Sequence, residues 1–301
     1  MSKSVTFDSV AISPFDELVA YEYLYSLDKA TLKSMTQQTV LSNKLPSEAL
    51  VERTGLLKPE AIYQIEDYLQ EKADLFSIAI NNTPSYPQKL KHSKRPTPLF
   101  YYRGDIGLLE SPSVSIVGAR KASDSGLDRA RRLARELAQK GITVVSGLAL
   151  GIDTVALSSA IQESGKVIGV IGTPIDEYYP IENRKLQDEI ARDHLLVSQV
   201  PFYKYSVQPF SSKRYYFPER NELMAAISEV TVIIEASDTS GTLTQARACL
   251  AQGRPLFIMR SCFESPHLSW PKKYLEKAPQ SVFVLEETSQ ILELLNMGIT
   301  D

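Results

Sequence analysis

From about residue 113 onward, one pattern repeats: a short apolar run is followed by a turn and then by an amphipathic helix. Apolar runs without alternation predict strands that are covered on both faces. Strands that alternate with helices predict a parallel sheet joined by right-handed crossovers. The predicted strands are 114–117, 142–145, 167–171, 230–235, 256–259 and 282–285. The pattern therefore predicts an α/β fold with a doubly wound, mostly parallel sheet, whose ligands bind at the carboxyl ends of the strands.

The first part of the chain has a different pattern. Phe15, Leu18, Tyr21 and Leu24 recur at a spacing near three, which is typical of one face of a helix. Residues 76–112 are rich in turn-forming residues and end in a short predicted strand, 99–102. We therefore expect a small helical domain over residues 1–75, a linker with an edge strand over 76–112, and a Rossmann-like domain over 113–301.

Composition excludes several classes of protein. No apolar run approaches the roughly 18–20 residues that a membrane span needs, and no apolar segment of a secretory signal follows the first lysine. The two cysteines, Cys249 and Cys262, do not suggest a disulfide scaffold, so we expect a cytoplasmic protein without a membrane partner. A net charge of −3 counts against nucleic acid covering the whole surface, but it permits one basic groove.

Three glycine-bearing turns, 118–120, 146–151 and 240–244, follow predicted strands. Glycine lets backbone N–H groups approach an anion, and the helix that follows each turn presents the positive end of its dipole. In a parallel sheet these turns lie on one rim and can converge. Any one of them is explained by a tight connection, but the three together favour a phosphate site. The candidate residues are Gly118, Arg120, Lys121, Ser146, Gly147, Gly151, Ser240, Gly241 and Thr242.

Familiar catalytic and cofactor motifs are missing from the sequence. It contains no GxxxxGK[ST] loop and no GxGxxG after the first predicted strand, and the second strand ends in Ser146 rather than in an acidic residue. His92, His194 and His267 lack the spacing of metal ligands. Asp153 and Asp176 fit the chemistry of helix starts better than catalysis. We therefore predict no catalytic residue, no metal and no cofactor, which favours a binding protein over an enzyme.

Basic and aromatic residues alternate over residues 203–221. Aromatic faces stack on bases while cations contact phosphates, so this composition is typical of a groove for single-stranded nucleic acid. A packed irregular segment with its aromatic residues in the core would have the same composition, and composition alone does not separate the two. The candidate contacts here are Lys213, Arg214, Arg220 and Asn221.

An ordered set of segments resembles the DNA-processing protein A family, DprA/Smf. The resemblance runs from about residue 76 to about residue 295, and its order and spacing are more specific than any single motif. The segments are 86–90, 98–104, 115–120, 145–149 with 151–153, 179–180 with Asn183, 217–221, 240–244 and 253–254. The leading helices resemble in placement the small helical domain of many members.

The resemblance implies a Rossmann-like protein that binds single-stranded DNA and helps to load a RecA-type recombinase during transformation. It implies that Arg120 and the basic residues near 217–221 contact DNA phosphates. Gly118, Gly147, Ser240, Gly241 and Thr242 would line the same pocket. It also implies a homodimer formed through the Rossmann-like domain.

The chain departs from the family pattern at three places: Leu157 stands where the family has histidine, Gln199 where it has glutamate, and residues 259–265 replace a glycine-rich stretch. The sequence ends at Asp301, so we expect a member without a C-terminal winged helix. These departures predict a divergent member, and they leave open whether DNA binding is altered.

Two other functions remain open from the sequence. A nucleotide-binding sensor or a phosphoribohydrolase-like enzyme of a related Rossmann group would hold a phosphate at Gly241 and Thr242, with Glu235 as a polar partner. Gln245 stands where that enzyme group has an acid, which counts against hydrolysis. A defence or signalling role, in which the domain senses a nucleotide or a foreign strand, is a third hypothesis that no residue selects.

Overall fold

The computed structural model describes residues 12–56 and 58–297. The first eleven residues, which bear on the predicted helical region and on the absence of a secretory signal, lie outside this range, as does the C-terminal Asp301. The N-terminal part is helical, as predicted. Its helices are α1 (Pro14–Ser26), α2 (Leu32–Gln38), α3 (Pro46–Thr54) and α4 (Ile62–Gln70).

The rest of the described chain alternates strands and helices. The strands are β1 (Ser77–Ile80), β2 (Leu99–Gly104), β3 (Ser113–Val117), β4 (Thr143–Ser146), β5 (Val167–Ile171), β6 (Leu195–Ser198), β7 (Val230–Ile233), β8 (Leu256–Met259) and β9 (Val282–Leu285). The helices are α5 (Gln88–Lys91), α6 (Asp124–Gln139), α7 (Ile152–Gln162), α8 (Arg184–Asp193), α9 (Phe202–Val207), α10 (Phe210–Lys213), α11 (Tyr216–Ile227), α12 (Thr242–Ala251), α13 (Arg260–Glu264), α14 (Trp270–Lys277) and α15 (Ser289–Met297).

All nine strands form one sheet in the order β1-β2-β6-β5-β4-β3-β7-β8-β9. The last seven strands in this order, β6, β5, β4, β3, β7, β8 and β9, run parallel to one another. At the other side of the sheet, β1 and β2 add an antiparallel edge. The chain first builds outward from β3 through β4, β5 and β6, and then returns to place β7 on the other side of β3. This reversal is the switch point of a doubly wound sheet, where ligands bind. The predicted Rossmann-like, mostly parallel α/β fold is confirmed.

Two strands, β1 and β6, were absent from the sequence prediction. Each is four residues long, as are four of the predicted strands, and a run of this length is not reliably distinguished from a helix end by its periodicity. Residues 76–112 therefore contribute two strands to the sheet rather than one. The division of the chain into domains at residues 75 and 112 stays a prediction.

The strands form the centre of the core because helices cover both faces of the sheet. Every residue of β3, β4 and β5 is buried. Helix α6 shows how the sequence produces this packing: Ala130, Leu133 and Leu137 lie on its buried face, and the Ser123 hydroxyl accepts the Gly126 N–H at the helix start.

A buried carboxylate joins the N-terminal helices to the sheet. Glu22 of α1 is fully buried and accepts hydrogen bonds from the Tyr101 hydroxyl on β2 (2.5 Å) and from the N–H groups of Phe202 (2.7 Å) and Tyr203 (3.1 Å) at the start of α9. It thereby satisfies helix-start donors that α9 cannot satisfy itself. Burial raises the pKa of Glu22 to about 7, against the lowering effect of these three hydrogen bonds.

We expect Glu22→Gln to change how stability depends on pH. Because the folded pKa of Glu22 lies above its ordinary value of 4.5, its contribution is fully present below that value and is lost as the pH rises through about 7. Between about pH 5 and about pH 8, the free energy of unfolding of the wild type should fall relative to Glu22→Gln by about 3 kcal/mol. Urea unfolding of both proteins measures this difference, and parallel pH profiles would contradict the prediction.

Candidate functional site

A cavity of about 810 Å³ opens at the carboxyl ends of β3, β4, β7 and β8, beside the switch point of the sheet. Its walls come from the three predicted turns, from α11 and from the segment that follows β8. The lining residues include Gly118, Ala119, Arg120, Lys121, Arg129, Asp153, Phe217, Arg220, Asn221, Met224, Glu235, Ala236, Ser240, Gly241, Thr242, Gln245, Ser261, Cys262, Ser265 and Leu268.

The first two turns pack directly against each other because both contain glycine. A Cβ atom on Gly118 would lie 2.5 Å from the Ile152 side chain. Gly151 has a φ of +80°, and a Cβ atom there would lie 2.5 Å from the carbonyl oxygens of Ala119 and Arg120. These glycines therefore bring the β3 turn and the β4 turn into contact. As a result, Arg120 and Lys121 are exposed at the mouth of the cavity.

The side chain of Arg220 crosses from α11 to the β4 turn. Its guanidinium group donates to the carbonyl oxygens of Gly147 (2.7 Å) and Val170 (2.6 Å), and its Nε donates to Oδ1 of Asn221 (3.0 Å). Gly147 leaves room for this group, since a Cβ atom there would lie 2.6 Å from the Cζ of Arg220. One buried cation thus ties together α11, the β4 turn and the end of β5.

Asp153 is the acidic partner of this arrangement. It is buried on α7, and its Oδ2 accepts the Gly147 N–H at 3.1 Å. Burial raises the pKa of Asp153, while the nearby positive charge of Arg220 acts in the opposite direction. Burial lowers the pKa of Arg220, which Asp153 opposes and the charge of Arg120 reinforces. Asp153 therefore serves the geometry of the turn rather than facing the mouth as a free acid.

Asn183 holds the middle of the β4 turn. Its Nδ2 donates to the Leu148 carbonyl and to the Thr154 hydroxyl, both at 2.8 Å. Leu148 has a φ of +56°, a conformation that non-glycine residues rarely adopt and that the surrounding contacts must maintain. Asn183 therefore acts structurally, by shaping the turn that Arg220 contacts.

The third turn connects to the first through hydroxyl groups. The Ser240 hydroxyl donates to Oγ1 of Thr242 (2.9 Å), which donates to the Gly118 carbonyl (3.0 Å). Gly241 lies between them with a φ of −59°, and nothing lies within 4 Å of the position that its Cβ would occupy. Unlike Gly118, Gly147 and Gly151, this glycine borders open space.

The structure brings most of the predicted rim together. The predicted site residues that line the cavity are Gly118, Arg120, Lys121, Arg220, Asn221, Ser240, Gly241 and Thr242. Gly147 and Gly151 lie behind this surface, against Arg220 and the first turn. Ser146 is fully buried and donates to the Ile116 carbonyl (2.6 Å). Whether these residues contact a ligand stays a prediction.

Lys213 and Arg214 lie elsewhere, on and just after α10, and are not among the lining residues. The Lys213 ammonium lies 4.0 Å from the centre of the Tyr205 ring, and the Arg214 guanidinium lies 5.3 Å from that of Tyr215. Arg120 and Arg220 therefore line one cavity, whereas Lys213 and Arg214 belong to a separate basic surface just before α11.

The departures from the family pattern fall in different places. Leu157 is fully buried in α7, and Gln199 is buried with its Oε1 accepting from the Thr97 hydroxyl (3.5 Å); neither lines the cavity. The 259–265 segment forms α13 and contributes Ser261, Cys262 and Ser265 to the wall. Of the three departures, the last is therefore the one that lies at the cavity.

Several lining residues were not predicted as site residues. Arg129 lies on α6, and the ion pairs of that helix explain its arginines equally well; its Nη2 lies 3.9 Å from Glu235. Glu235 also accepts from the N–H (3.0 Å) and hydroxyl (2.5 Å) of Ser123, so it helps to cap α6. Phe217 and Gln245 also belong to this set. The sequence pointed to Glu235 and Gln245 only for the alternative enzyme group and to residue 217 only within the 217–221 segment, and it gave no site signal for Arg129.

In the described part of the chain, no three metal-ligating side chains cluster together. No helix between residues 12 and 297 combines the length and the apolar character that crossing a membrane requires.

Comparison with known proteins gives a consistent result. The family model for DNA recombination-mediator protein A matches residues 77–296. The DNA processing protein DprA of Bacillus subtilis is 28% identical over 272 residues, which cover 90% of this chain and 89% of that protein.

Two solved structures of the same kind superpose on the chain. The DprA structure from Streptococcus pneumoniae has a TM-score of 0.69 at 25% identity, covering 94% of this chain and 98% of that one. The structure from Helicobacter pylori has a TM-score of 0.61 at 27% identity, covering 74% and 96%, and it concerns that protein's unique mode of binding single-stranded DNA.

We expect two glycine substitutions on the rim to behave differently. Gly147→Ala should displace Arg220 from the Gly147 and Val170 carbonyls and should destabilise the fold by about 3 kcal/mol or more, because it disturbs a buried charge. Gly241→Ala should leave stability within about 1 kcal/mol of the wild type, since its Cβ meets open space at an ordinary helical φ. Thermal and urea unfolding compare the two, and equal losses would contradict this account of the rim.

Proposed function

The chain belongs to the DNA recombination-mediator protein A family, and from that premise we propose that it binds single-stranded DNA and acts as a recombination mediator. The observation that carries the proposal is the cavity at the switch point, with Arg120 and Lys121 exposed at its mouth. Neither residue pairs with a carboxylate within the described ranges. They are therefore available to contact phosphates.

The cavity combines four basic side chains with two acidic ones. Asp153 is engaged by the Gly147 N–H and by Arg220, and Glu235 by Ser123. The charge that remains at the mouth is positive, although the whole chain carries −3. A DNA phosphate there would meet Arg120 and Lys121, and the start of α12 next to Gly241 would add its dipole. Such contacts bind strands of any sequence.

We further propose that the strand continues beyond the cavity across the surface formed by Phe210, Lys213, Arg214 and Tyr215. Phe210 is 88% exposed and Tyr215 is 61% exposed. Exposed aromatic rings beside cations suit a flexible strand, since bases stack on the rings while phosphates meet the charges. Helix α11 connects this surface to Phe217 and Arg220 of the cavity.

The protein is proposed to be a binder without catalytic activity. The alternative of a phosphoribohydrolase-like enzyme is not favoured, because the relatives are DNA-processing proteins and because Gln245 provides an amide where that chemistry uses a carboxylate. No observation selects a nucleotide-sensing, defence or signalling role over strand binding.

The family also suggests binding partners, a cellular process and a compartment. We propose that the protein forms a homodimer, that it loads a RecA-type recombinase onto DNA during transformation, and that it acts in the cytoplasm. Both cysteines are free and buried, which agrees with a reducing compartment. Light scattering of the purified protein tests the dimer, and co-sedimentation with a RecA-type recombinase tests the partner.

Arg120→Glu should weaken the binding of all single-stranded oligonucleotides to a similar extent, because it replaces a phosphate contact with a repulsive charge. The slope of log affinity against log salt should become shallower by about 0.7 for the lost contact. Fluorescence anisotropy over a salt series measures both quantities.

Arg192→Glu provides the matched control. Arg192 lies at the end of α8, just before β6 begins, and therefore at the amino ends of the parallel strands, whereas the cavity lies at their carboxyl ends. The same charge change there should leave the salt slope unaltered. Equal losses for the two variants, or no binding by the wild type at about 50 mM salt, would contradict the proposed function.

Arg214→Glu tests the extended path. We expect it to weaken the binding of oligonucleotides that are long enough to span both surfaces. The affinity for the shortest oligonucleotide that binds should stay the same, since that oligonucleotide is held by the cavity alone. Anisotropy titrations against a series of lengths measure this dependence. A loss that is independent of length would place Arg214 at the cavity contact instead.

A further inference from the structure

The proposed strand surface lies on a segment, residues 202–219, that packs against the N-terminal helices. Glu22 of α1 accepts the first two N–H groups of α9. Farther along α9, the Lys204 ammonium donates to the Ala30 carbonyl between α1 and α2 (2.8 Å) and lies 5.2 Å from the centre of the Tyr25 ring. The position of α9, and with it the start of α10, therefore depends on contacts with the N-terminal helices.

A second carboxyl group, that of Glu219 on α11, lies at the other end of this contact. Glu219 is half-buried beside the start of α2. Burial raises the pKa of Glu219 to about 7 and the charge of Glu222 acts in the same direction, whereas the Leu32 N–H and the charge of Lys204 act to lower it. Burial raises the pKa of Glu22 to about 7 as well. The two carboxyls therefore titrate in the same range of pH.

Most of the groups around the two carboxyls are neutral hydroxyls. Burial raises the pKa of Tyr21 and of Tyr101 well above the ordinary value of 10.0, and the buried Tyr21 hydroxyl has no hydrogen-bond partner. Lys72, which lies over the Phe202 ring, is engaged by Asp176. The titratable and charged groups that face the two carboxyls or the Lys204 ammonium are Tyr21, Tyr25 and Asp28 at α1, Tyr68 of α4, Tyr101 of β2, Lys204 of α9, and Tyr216 and Glu222 of α11.

These surroundings make the contact sensitive to ionisation. A buried carboxyl favours its neutral form, because its charged form loses the solvation that water provides. Above about pH 7 the contact holds two negative charges, both of which act on the rings of Tyr21 and Tyr25. Separation of the N-terminal helices from residues 202–219 would hydrate both charges. The stabilisation from each carboxyl is therefore fully present below its ordinary pKa of 4.5 and is lost as the pH rises through about 7.

We infer that this contact is a pH-sensitive latch. With Glu22 and Glu219 protonated, the N-terminal helices fix residues 202–219 and position the strand surface, and ionisation of the two carboxyls loosens it. Glu22 is a positioning residue, since it acts on the strand surface through α9. The role in strand binding rests on the proposed function, whereas the latch itself is a property of the protein without DNA.

Hydrogen exchange of the full chain, measured by mass spectrometry, tests the latch. Peptides from α1 and α9 are compared at about pH 5.5 and about pH 7.5, after correction for the intrinsic exchange rate. In the wild type, protection of these peptides should fall by about twentyfold for each carboxyl that ionises, and the fall should be about twentyfold smaller in Glu22→Gln and in Glu219→Gln. Peptides from β4 should keep their protection, which separates opening of the latch from unfolding of the whole chain.

Glu17→Gln is the matched control on the same helix. Glu17 is also buried, but its carboxylate accepts from the N–H (2.9 Å) and the hydroxyl (2.6 Å) of Ser47, which belongs to the N-terminal helices themselves. The same chemical change there should keep the dependence on pH of the wild type. Equal protection of the wild type at both pH values would overturn the latch. A dependence that persists in the double variant Glu22→Gln, Glu219→Gln would also overturn it. Should Glu22→Gln fail to fold, Glu219→Gln alone must show the smaller dependence.

A second arm connects the latch to strand binding. Exchange is measured at about pH 7.5 with a saturating oligonucleotide that is long enough to span both surfaces, and with the shortest oligonucleotide that binds. Because coupling between two sites is reciprocal, a strand that needs the positioned surface must in turn tighten the contact. The long strand should raise the protection of α1 and α9 by about fivefold or more, which is the effect of one base stacked on one ring. The short strand should leave it unchanged.

The two proposals fail in different ways. If protection depends on pH but is not raised by the bound long strand, the role of the latch in strand binding is overturned while the proposed function stands. If no strand binds and the dependence on Glu22 and Glu219 is found, the proposed function falls and the latch stands. If strands bind through Arg120 and protection does not depend on pH, the latch falls and the proposed function stands.

Discussion

The guanidinium group of Arg220 is the interaction on which the inner wall of the cavity depends. It is buried, and it binds the carbonyl oxygens of two segments that are 73 and 50 residues away in the chain. A buried charge is tolerated only when its hydrogen bonds are made and a counter-charge is close, and here Asp153 provides that charge. The same group ties α11 to the β4 turn and to β5 at the switch point of the sheet, next to the cavity residues Phe217 and Asn221 of that helix.

Tight packing at the rim leaves only a few groups free for a ligand. Gly118, Gly147 and Gly151 are occupied by contacts between protein segments, and Asp153 and Glu235 are engaged by protein donors. What remains at the mouth is a pair of exposed cations beside the open flank of Gly241. An acidic protein can therefore present a local anion site, because the local arrangement of charges, rather than their sum, decides what binds there.

The aromatic and basic segment shows why composition leaves two interpretations open. Tyr216 and Arg220 are buried, as in a packed segment, whereas Phe210 and Tyr215 are exposed, as in a binding surface. Each interpretation matches the burial of different residues, because α10 and the two residues before α11 lie at the surface while most of α11 is buried. Alternating residue types along a chain do not tell which side of a helix faces a neighbour.

The sequence by itself determined the doubly wound sheet and most of its strands. It also determined the convergence of three turns on one rim and the family. These features could be predicted because apolar periodicity and glycine spacing are local features of the chain. Only the tertiary structure decided that β1 and β6 join the sheet, that Lys213 and Arg214 lie outside the cavity, and that Glu22 is buried against β2 and α9. These properties depend on contacts between segments far apart in the chain, and the burial of a carboxyl group is visible only when all surrounding groups have been placed.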